Sequence, residues 1–226
     1  MTDYAEMSHD GEDWTESFGQ AVAELEKKGG GTLFVPAGTY RSRSIELKSN
    51  MVLYLDAGAE ISFIDRIEEY EIITGNFEGI TRDMYKPLIY AKDAKNVTVR
   101  GNGVLNGNGR VWWERIWAKT LEEARPCLIY FEHCDNVKLQ DVTLTNSPAW
   151  TVHPLFCHNV VVSGVSILNP SDSPNTDGIN PDSCRNVRIS DCMIDVGDDC
   201  IAIKSGVEES LVKEVCENIT ITNCVM

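Results

Sequence analysis

The sequence predicts an all-β fold, a parallel β-helix of stacked coils, on three observations. The first is a repeat of asparagine followed by β-branched or aliphatic residues. It occurs as Asn96-Val97-Thr98-Val99, Asn136-Val137-Lys138-Leu139, Asn159-Val160-Val161-Val162, Asn186-Val187-Arg188-Ile189 and Asn218-Ile219-Thr220-Ile221, with a weaker copy at Asn50-Met51-Val52-Leu53. The second is that most copies run on into another short strand pattern, such as Val142-Thr143-Leu144, Val165-Ser166-Ile167 and Cys192-Met193-Ile194. The third is the spacing: the later asparagines stand 23, 27 and 32 residues apart. Short alternating strands at a drifting period of this size fit solenoid coils joined by loops of variable length. Leucine-rich repeats share the period but not the leucine and helix pattern; a β-sandwich is the alternative. Asparagine suits the bends because it tolerates left-handed backbone angles.

The whole chain, 1–226, reads as one domain, with a tail at 1–12 and a capping helix within 13–31. Asp13-Trp14-Thr15-Glu16 has a capping-box form, Phe18, Val22 and Leu25 make one apolar stripe, and Gly29-Gly30-Gly31 ends the helix. Such a helix is a natural plug for the open end of a solenoid core. The last repeat copy stops at Met226 without a capping segment, so the expectation is a chain whose C-terminal coils are missing. Cys134, Cys157, Cys184 and Cys216 each stand two residues before a repeat asparagine. With no CxxC spacing, they read as reduced thiols stacked in the core rather than metal ligands.

Composition narrows the function classes. A net charge of −15 argues against nucleic acid and against anionic membranes as partners. No apolar run approaches the ~18 residues of a membrane span. The N-terminus lacks the basic and apolar regions of a secretory signal, so the expected location is the cytoplasm.

Two segments depart from the strand pattern: Asn175-Thr176-Asp177-Gly178 and Gly197-Asp198-Asp199-Cys200. Asp177 precedes Asp198 and Asp199 by about one coil, and neighbouring strands lie about 4.8 Å apart. The fold would therefore stack three carboxyl groups, which cannot all ionise cheaply. A protonated acid beside ionised carboxylates is what glycoside hydrolysis uses. In isolation an Asp-Asp pair is more often a solvated turn. Alternation from Ile201 and Ile203, taken as inward, sends Lys204 and Asp198 outward but Asp199 inward, so a bulge near Gly197 is expected. Lys204 becomes a candidate contact for a substrate carboxylate, set against a plain surface lysine. His153, 24 residues before Asp177, could line the same cleft or be structural. Arg125 and Trp150 are weaker substrate-binding candidates, tryptophan serving sugar rings and cores alike.

These residues resemble the polygalacturonase family of glycoside hydrolases, family 28. Asn175-Thr176-Asp177 and Gly197-Asp198-Asp199 match its N-T-D and G-D-D motifs. Supporting text includes Gly30 to Tyr40, Gly107-Asn108-Gly109 before Trp112-Trp113, and Asn146-Ser147-Pro148-Ala149-Trp150. The family's later G-H-G and R-I-K motifs are absent. The resemblance implies a right-handed parallel β-helix that hydrolyses α-1,4-linked galacturonic acid with inversion and without a cofactor or metal. It assigns Asp198 as general acid, Asp177 and Asp199 as the groups holding and activating water, and Asn175 as their support. The implied partner is a galacturonic-acid-containing oligosaccharide. Residues 70–113 resemble the longer N-terminal region of exo-acting members. The alternatives are a β-helix that binds carbohydrate without catalysis, a rhamnogalacturonan-type hydrolase, and a calcium-dependent pectate lyase.

Overall fold

The computed structural model describes residues 13–210 and 214–226. The expected tail at 1–12 lies outside the described residues. Three parallel sheets run the length of the molecule and are visited in the same order by each coil.

The first sheet holds β1 (Gly31–Val35), β4 (Met51–Leu55), β9 (Lys95–Gly101), β12 (Asp135–Gln140), β15 (His158–Ser163), β17 (Arg185–Ser190) and β19 (Glu217–Thr222). The second holds β2 (Gly38–Ser42), β5 (Ala59–Phe63), β10 (Val104–Asn106), β13 (Thr143–Thr145), β16 (Ser166–Leu168) and β18 (Met193–Asp195). The third holds β3 (Ile45–Glu46), β8 (Ile89–Lys92), β11 (Ile129–Glu132) and β14 (Val152–Leu155). It continues as single bridges, Val152 to Ile179 to Ile201 and Leu155 to Asp182 to Lys204. This is the parallel β-helix that the repeats predict.

The register explains why the repeat residues are apolar. Leu53, Val99, Leu139, Val162 and Ile189 are paired coil to coil and all are buried. Like residues therefore stack in columns through the core, each gaining roughly 1.5–3 kcal/mol from burial. The helix α1 (Thr15–Lys27) closes one end, with Phe18, Ala21 and Val22 in the same core cluster. Asp13 accepts from the Thr15 amide at 2.9 Å just ahead of the helix, but the N-cap residue is Trp14 and carries no side-chain cap bond, so the expected capping box does not form.

The repeat asparagines do adopt left-handed angles: φ is 61° at Asn50, 56° at Asn96, 58° at Asn136, 56° at Asn159, 57° at Asn186 and 56° at Asn218. Their side chains also form a ladder. Asn96 Nδ2 donates to Asn50 Oδ1 at 2.7 Å, Asn136 to Asn96 at 2.7 Å, Asn186 to Asn159 at 3.1 Å and Asn218 to Asn186 at 3.1 Å. Asn159 donates instead to Asp135 Oδ1 at 2.8 Å. All eight cysteines are free thiols, and Cys134, Cys157 and Cys184 are buried. The thiols of Cys157 and Cys184 each donate to a carbonyl of the preceding coil at 3.2 Å.

The strands of the third sheet and the single helical turn Ile67–Glu69 had no counterpart in the sequence reading, and neither did two larger excursions. A short helix, α2 (Arg110–Trp117), buries Trp112 and Trp113. An antiparallel hairpin, β6 (Ile72–Phe77) and β7 (Ile80–Tyr85), turns at Glu78 and Gly79, whose φ values are 57° and 81°. Two consecutive left-handed residues are what a tight two-residue hairpin requires. Both elements leave from the turn between the second and third sheets, as do the segments carrying Asp177, Asp198 and Asp199. Long excursions at one corner of a regular solenoid build a wall along one side of it. Among the described residues no helix is long and apolar enough to cross a membrane.

Candidate active site

At that corner lies an open cleft of about 530 Å³, lined by Asp177, Asp198, Asp199, Asn175, Lys204 and Trp150, among others. One oxygen from each of the three aspartates lies within 4.8 Å of the others. The stacking inferred from coil spacing therefore occurs, and its cause is visible in the backbone. The Thr151 amide donates to the Asp177 carbonyl at 2.8 Å, and the Gly178 amide to the Asp199 carbonyl at 2.9 Å, so the two motifs lie in register on adjacent coils.

The expected bulge takes another form. The strand β18 ends at Asp195, and residues 196–200 make a bend rather than a bulged strand. A Cβ at Gly197 would collide with the Ser173 carbonyl, so glycine allows the close approach. Asp198 and Asp199 are both exposed to the cleft, while Asp177 is 3% exposed. The assumption that Ile203 points inward is corrected: it is 54% exposed and lines the cleft. Residues 201–204 bridge the preceding coil only at Ile201 and Lys204, a spacing of three that breaks strict alternation.

The electrostatics centre on Asp177. Burial raises its pKa, and the Asp198 carboxylate adds to this. Lys204 opposes the rise, its Nζ 3.4 Å from Asp177 Oδ2, as does Asn180, whose Nδ2 donates to the same oxygen at 3.1 Å. The net effect is a carboxyl above its ordinary value. Such a group is a stronger base whenever it is ionised, and Lys204 favours the ionised form. The same three carboxylates are a set that could hold a cation; the Lys204 ammonium already supplies positive charge beside one of them.

Three sequence candidates need correction. His153 is fully buried and does not reach the cleft; its Nε2 lies 3.5 Å from Asp182 Oδ2, and its ring packs edge-on against Tyr130 and Trp150. It supports the floor instead of touching substrate. Arg125 is also buried, donating to the carbonyls of Pro148 and Pro174, both at 2.8 Å, and to Asn175 Oδ1 at 2.7 Å. It holds Asn175, whose side-chain amide nitrogen remains for the cleft. Trp150 lines the cleft but offers no free sugar platform: Lys204 Nζ sits 4.5 Å from its ring centroid and Phe77 packs at 5.0 Å. Lys204 is thus fixed from two sides, by Asp177 and by the indole.

Sequence reasoning missed Asp182 and Glu78, both lining the cleft. Asp182 is buried; burial works to raise its pKa, but His153 and Ser183 outweigh that and hold it below the usual carboxylate range. Its distance of 22 residues from Lys204, again one coil, was the available signal. Glu78 arrives on the hairpin tip. Ser210 Oγ donates to the Gly79 carbonyl at 2.6 Å, so the tip rests on the loop after Lys204 and closes that side of the cleft.

The family model for glycosyl hydrolases family 28 matches residues 31–226. A probable polygalacturonase from Vitis vinifera is 40% identical over 204 residues, covering 86% of this chain and 42% of the relative. A polygalacturonase from Malus domestica is 33% identical over 209 residues, 87% of this chain and 42% of the relative. Among solved structures, an exopolygalacturonase from Thermotoga maritima superposes with a TM-score of 0.83 at 30% identity, covering 95% of this chain and 64% of that one. A polygalacturonase from Erwinia carotovora gives 0.81 at 25% identity, covering 96% and 60%. The chain thus spans about 42% of the length of those two curated relatives. With its two aspartate motifs in register at the corner of a parallel β-helix, this chain belongs to glycoside hydrolase family 28.

Proposed function

We propose that the protein is a glycosidase of the polygalacturonase type, hydrolysing α-1,4-galacturonosyl linkages in pectin-derived oligosaccharides. The observation that carries this reading is the trio of carboxylates within 4.8 Å at the base of an open cleft. Asp198, exposed beside the other two, protonates the leaving glycosidic oxygen. Asp177 and Asp199 hold a water against the anomeric carbon and take its proton as the C–O bond forms. The raised basicity of Asp177 suits that task, and Lys204 keeps it available as a base. Asn175, held by Arg125, presents its amide to the sugar. The balance is one glycosidic bond broken, one water consumed, and the proton lost by Asp198 recovered from that water.

Action from a chain end is the finer reading, supported by the hairpin tip that rests on the loop at 206–210 and shuts one side of the cleft. A polymer cannot thread a channel with a closed end. The test is a trigalacturonide digest by the full-length protein in the presence of a metal chelator. Release of galacturonic acid by water addition supports the reading. An unsaturated product, or activity lost to the chelator, indicates calcium-dependent elimination instead. Binding of galacturonides with no turnover, unchanged in Asp198→Asn, indicates a carbohydrate-binding protein. Monomer alone from polygalacturonate supports end-on action, and a ladder of oligomers overturns it.

A further inference from the structure

The outer face of the first sheet has a charge pattern at odds with the rest of the molecule. Two adjacent outward rows run through its seven strands, one from Thr32 on β1 to Thr220 on β19 and the other from Phe34 to Thr222. Neither row contains an aspartate or a glutamate. In a chain with 35 acidic residues and a net charge of −15, these rows instead carry Arg100, Lys138 and Arg188. All three are exposed, and none is in an ion pair among the described residues. Only the row at the strand starts is mixed in sign, where Arg185 pairs with Glu217.

The three cations form a short band across the two rows, Lys138 and Arg188 in one and Arg100 in the other. They lie on β9, β12 and β17, within four adjacent strands, so they span about 14 Å along the solenoid axis at about 4.8 Å per strand. Arg100 is fixed as well as exposed: its guanidinium stands 5.2 Å from the Tyr54 ring centroid, and Tyr54 stacks on Phe34 at 5.6 Å. Phe34 is 44% exposed, an aromatic left in solvent at the head of the same strip. An amphipathic strip of this kind matches a long, regular polymer that alternates apolar sugar faces with carboxylates.

We infer that the outer face of the first sheet is a holding site for an acidic polysaccharide, separate from the cleft. Its occupant is a galacturonan chain, and that identity rests on the function proposed above. The site's location has a consequence for how it would work. The aspartate cluster lies at the turn between the second and third sheets, the one corner that the first sheet does not border. A chain bound on the strip therefore leaves the cleft free, and the strip raises the local concentration of chain ends near the cleft. The strip would let a protein with a strongly anionic field approach an anionic polymer, because a local positive patch governs contact within a Debye length of about 8–10 Å.

The test compares polygalacturonate binding by affinity electrophoresis in an Asp198→Asn background with and without Arg100→Gln, Lys138→Gln and Arg188→Gln. The three substitutions should weaken binding about tenfold, the scale of three exposed charge contacts, and abolish its salt dependence. In the wild-type background they should raise the KM for polygalacturonate while leaving trigalacturonide turnover within about twofold, since so short a substrate cannot reach both faces. Unfolding midpoints check that the triple variant is folded; Phe34→Ala alone, which keeps all three charges, should weaken binding less. Polymer binding left unchanged in strength and in salt dependence by the triple substitution overturns the inference. So does equal binding of a neutral galactan or of duplex DNA by the parent. If the wild type hydrolyses nothing, the electrophoresis still reads the strip, so failure of the catalytic reading and failure of the holding site are separate results.

Discussion

Arg125 offers a demanding test of how the cleft is held together. Replacing it by alanine leaves two carbonyls, Pro148 and Pro174, and Asn175 Oδ1 without their donor. Hydrogen bonds from a charged donor contribute about 2 kcal/mol each, or about 6 kcal/mol for the three. Burial works the other way. It lowers the arginine pKa from 12.5 to about 10, a cost of about 3 kcal/mol that truncation returns. The guanidinium is still charged at neutral pH, and the net loss on truncation is about 3 kcal/mol. That is a large part of the 5–15 kcal/mol typical of a folded domain. In urea, with a slope of about 3 kcal/mol per molar, the midpoint should fall by about 1 M with the slope unchanged. Arg125→Lys should lie between, because an ammonium on a flexible stem cannot serve three acceptors in the guanidinium's fork geometry. Turnover should fall in both, since Asn175 loses its anchor. A midpoint for Arg125→Ala within about 0.3 M of wild type would refute the reasoning, and would mean that water replaces the guanidinium at little cost.

Other outcomes follow from the same geometry. Asp177 has a folded pKa above its ordinary 3.8, so the protonated form is favoured by folding, and the stability present below pH 3.8 is lost as pH rises through the folded value. Asp177→Asn should therefore unfold at higher urea than wild type at pH 7, with the advantage vanishing below pH 3.8, while activity falls; an advantage that persists in acid would contradict the assignment. Asn136 combines a φ of 58° with a ladder bond to Asn96. Asn136→Ala should cost about 1–2 kcal/mol and Asn136→Gly less, because glycine loses the bond but keeps the backbone angle; equal costs in thermal unfolding would assign the whole effect to the ladder.

The parts of the fold that repeat were readable from the sequence because one physical rule acts on every coil. Inward aliphatic positions stack, and a residue tolerant of left-handed angles must stand at each bend, so the asparagines and the Val/Ile/Leu columns announce themselves. Asp177, Asp198 and Asp199 were legible for the same reason, through their one-coil offset. What escaped was not periodic. The hairpin of β6 and β7 is a single insertion whose signal was the pair Glu78-Gly79, a weak mark without a second copy to compare. Arg125 and His153 also lie about one coil from cleft residues, and that offset alone cannot say whether a side chain reaches solvent. In both cases nearby buried acceptors, carbonyls for Arg125 and Asp182 for His153, draw the side chain inward. Lys204 shows the converse. Alternation placed it outward, but its fixed position depends on Trp150, 54 residues earlier in the chain.

On the proposed function, Asp177, Asp198 and Asp199 act together on a galacturonosyl bond. Water held by Asp177 and Asp199 attacks the face opposite the leaving oxygen, so the anomeric carbon inverts and the stereochemistry of the product reads the mechanism. Proton NMR of a fresh trigalacturonide digest by the full-length protein should show the β-anomer of the new reducing end first, decaying to the equilibrium mixture. The signal should be lost in Asp198→Asn. Initial appearance of the α-anomer, or undiminished turnover in Asp198→Asn, would contradict the account.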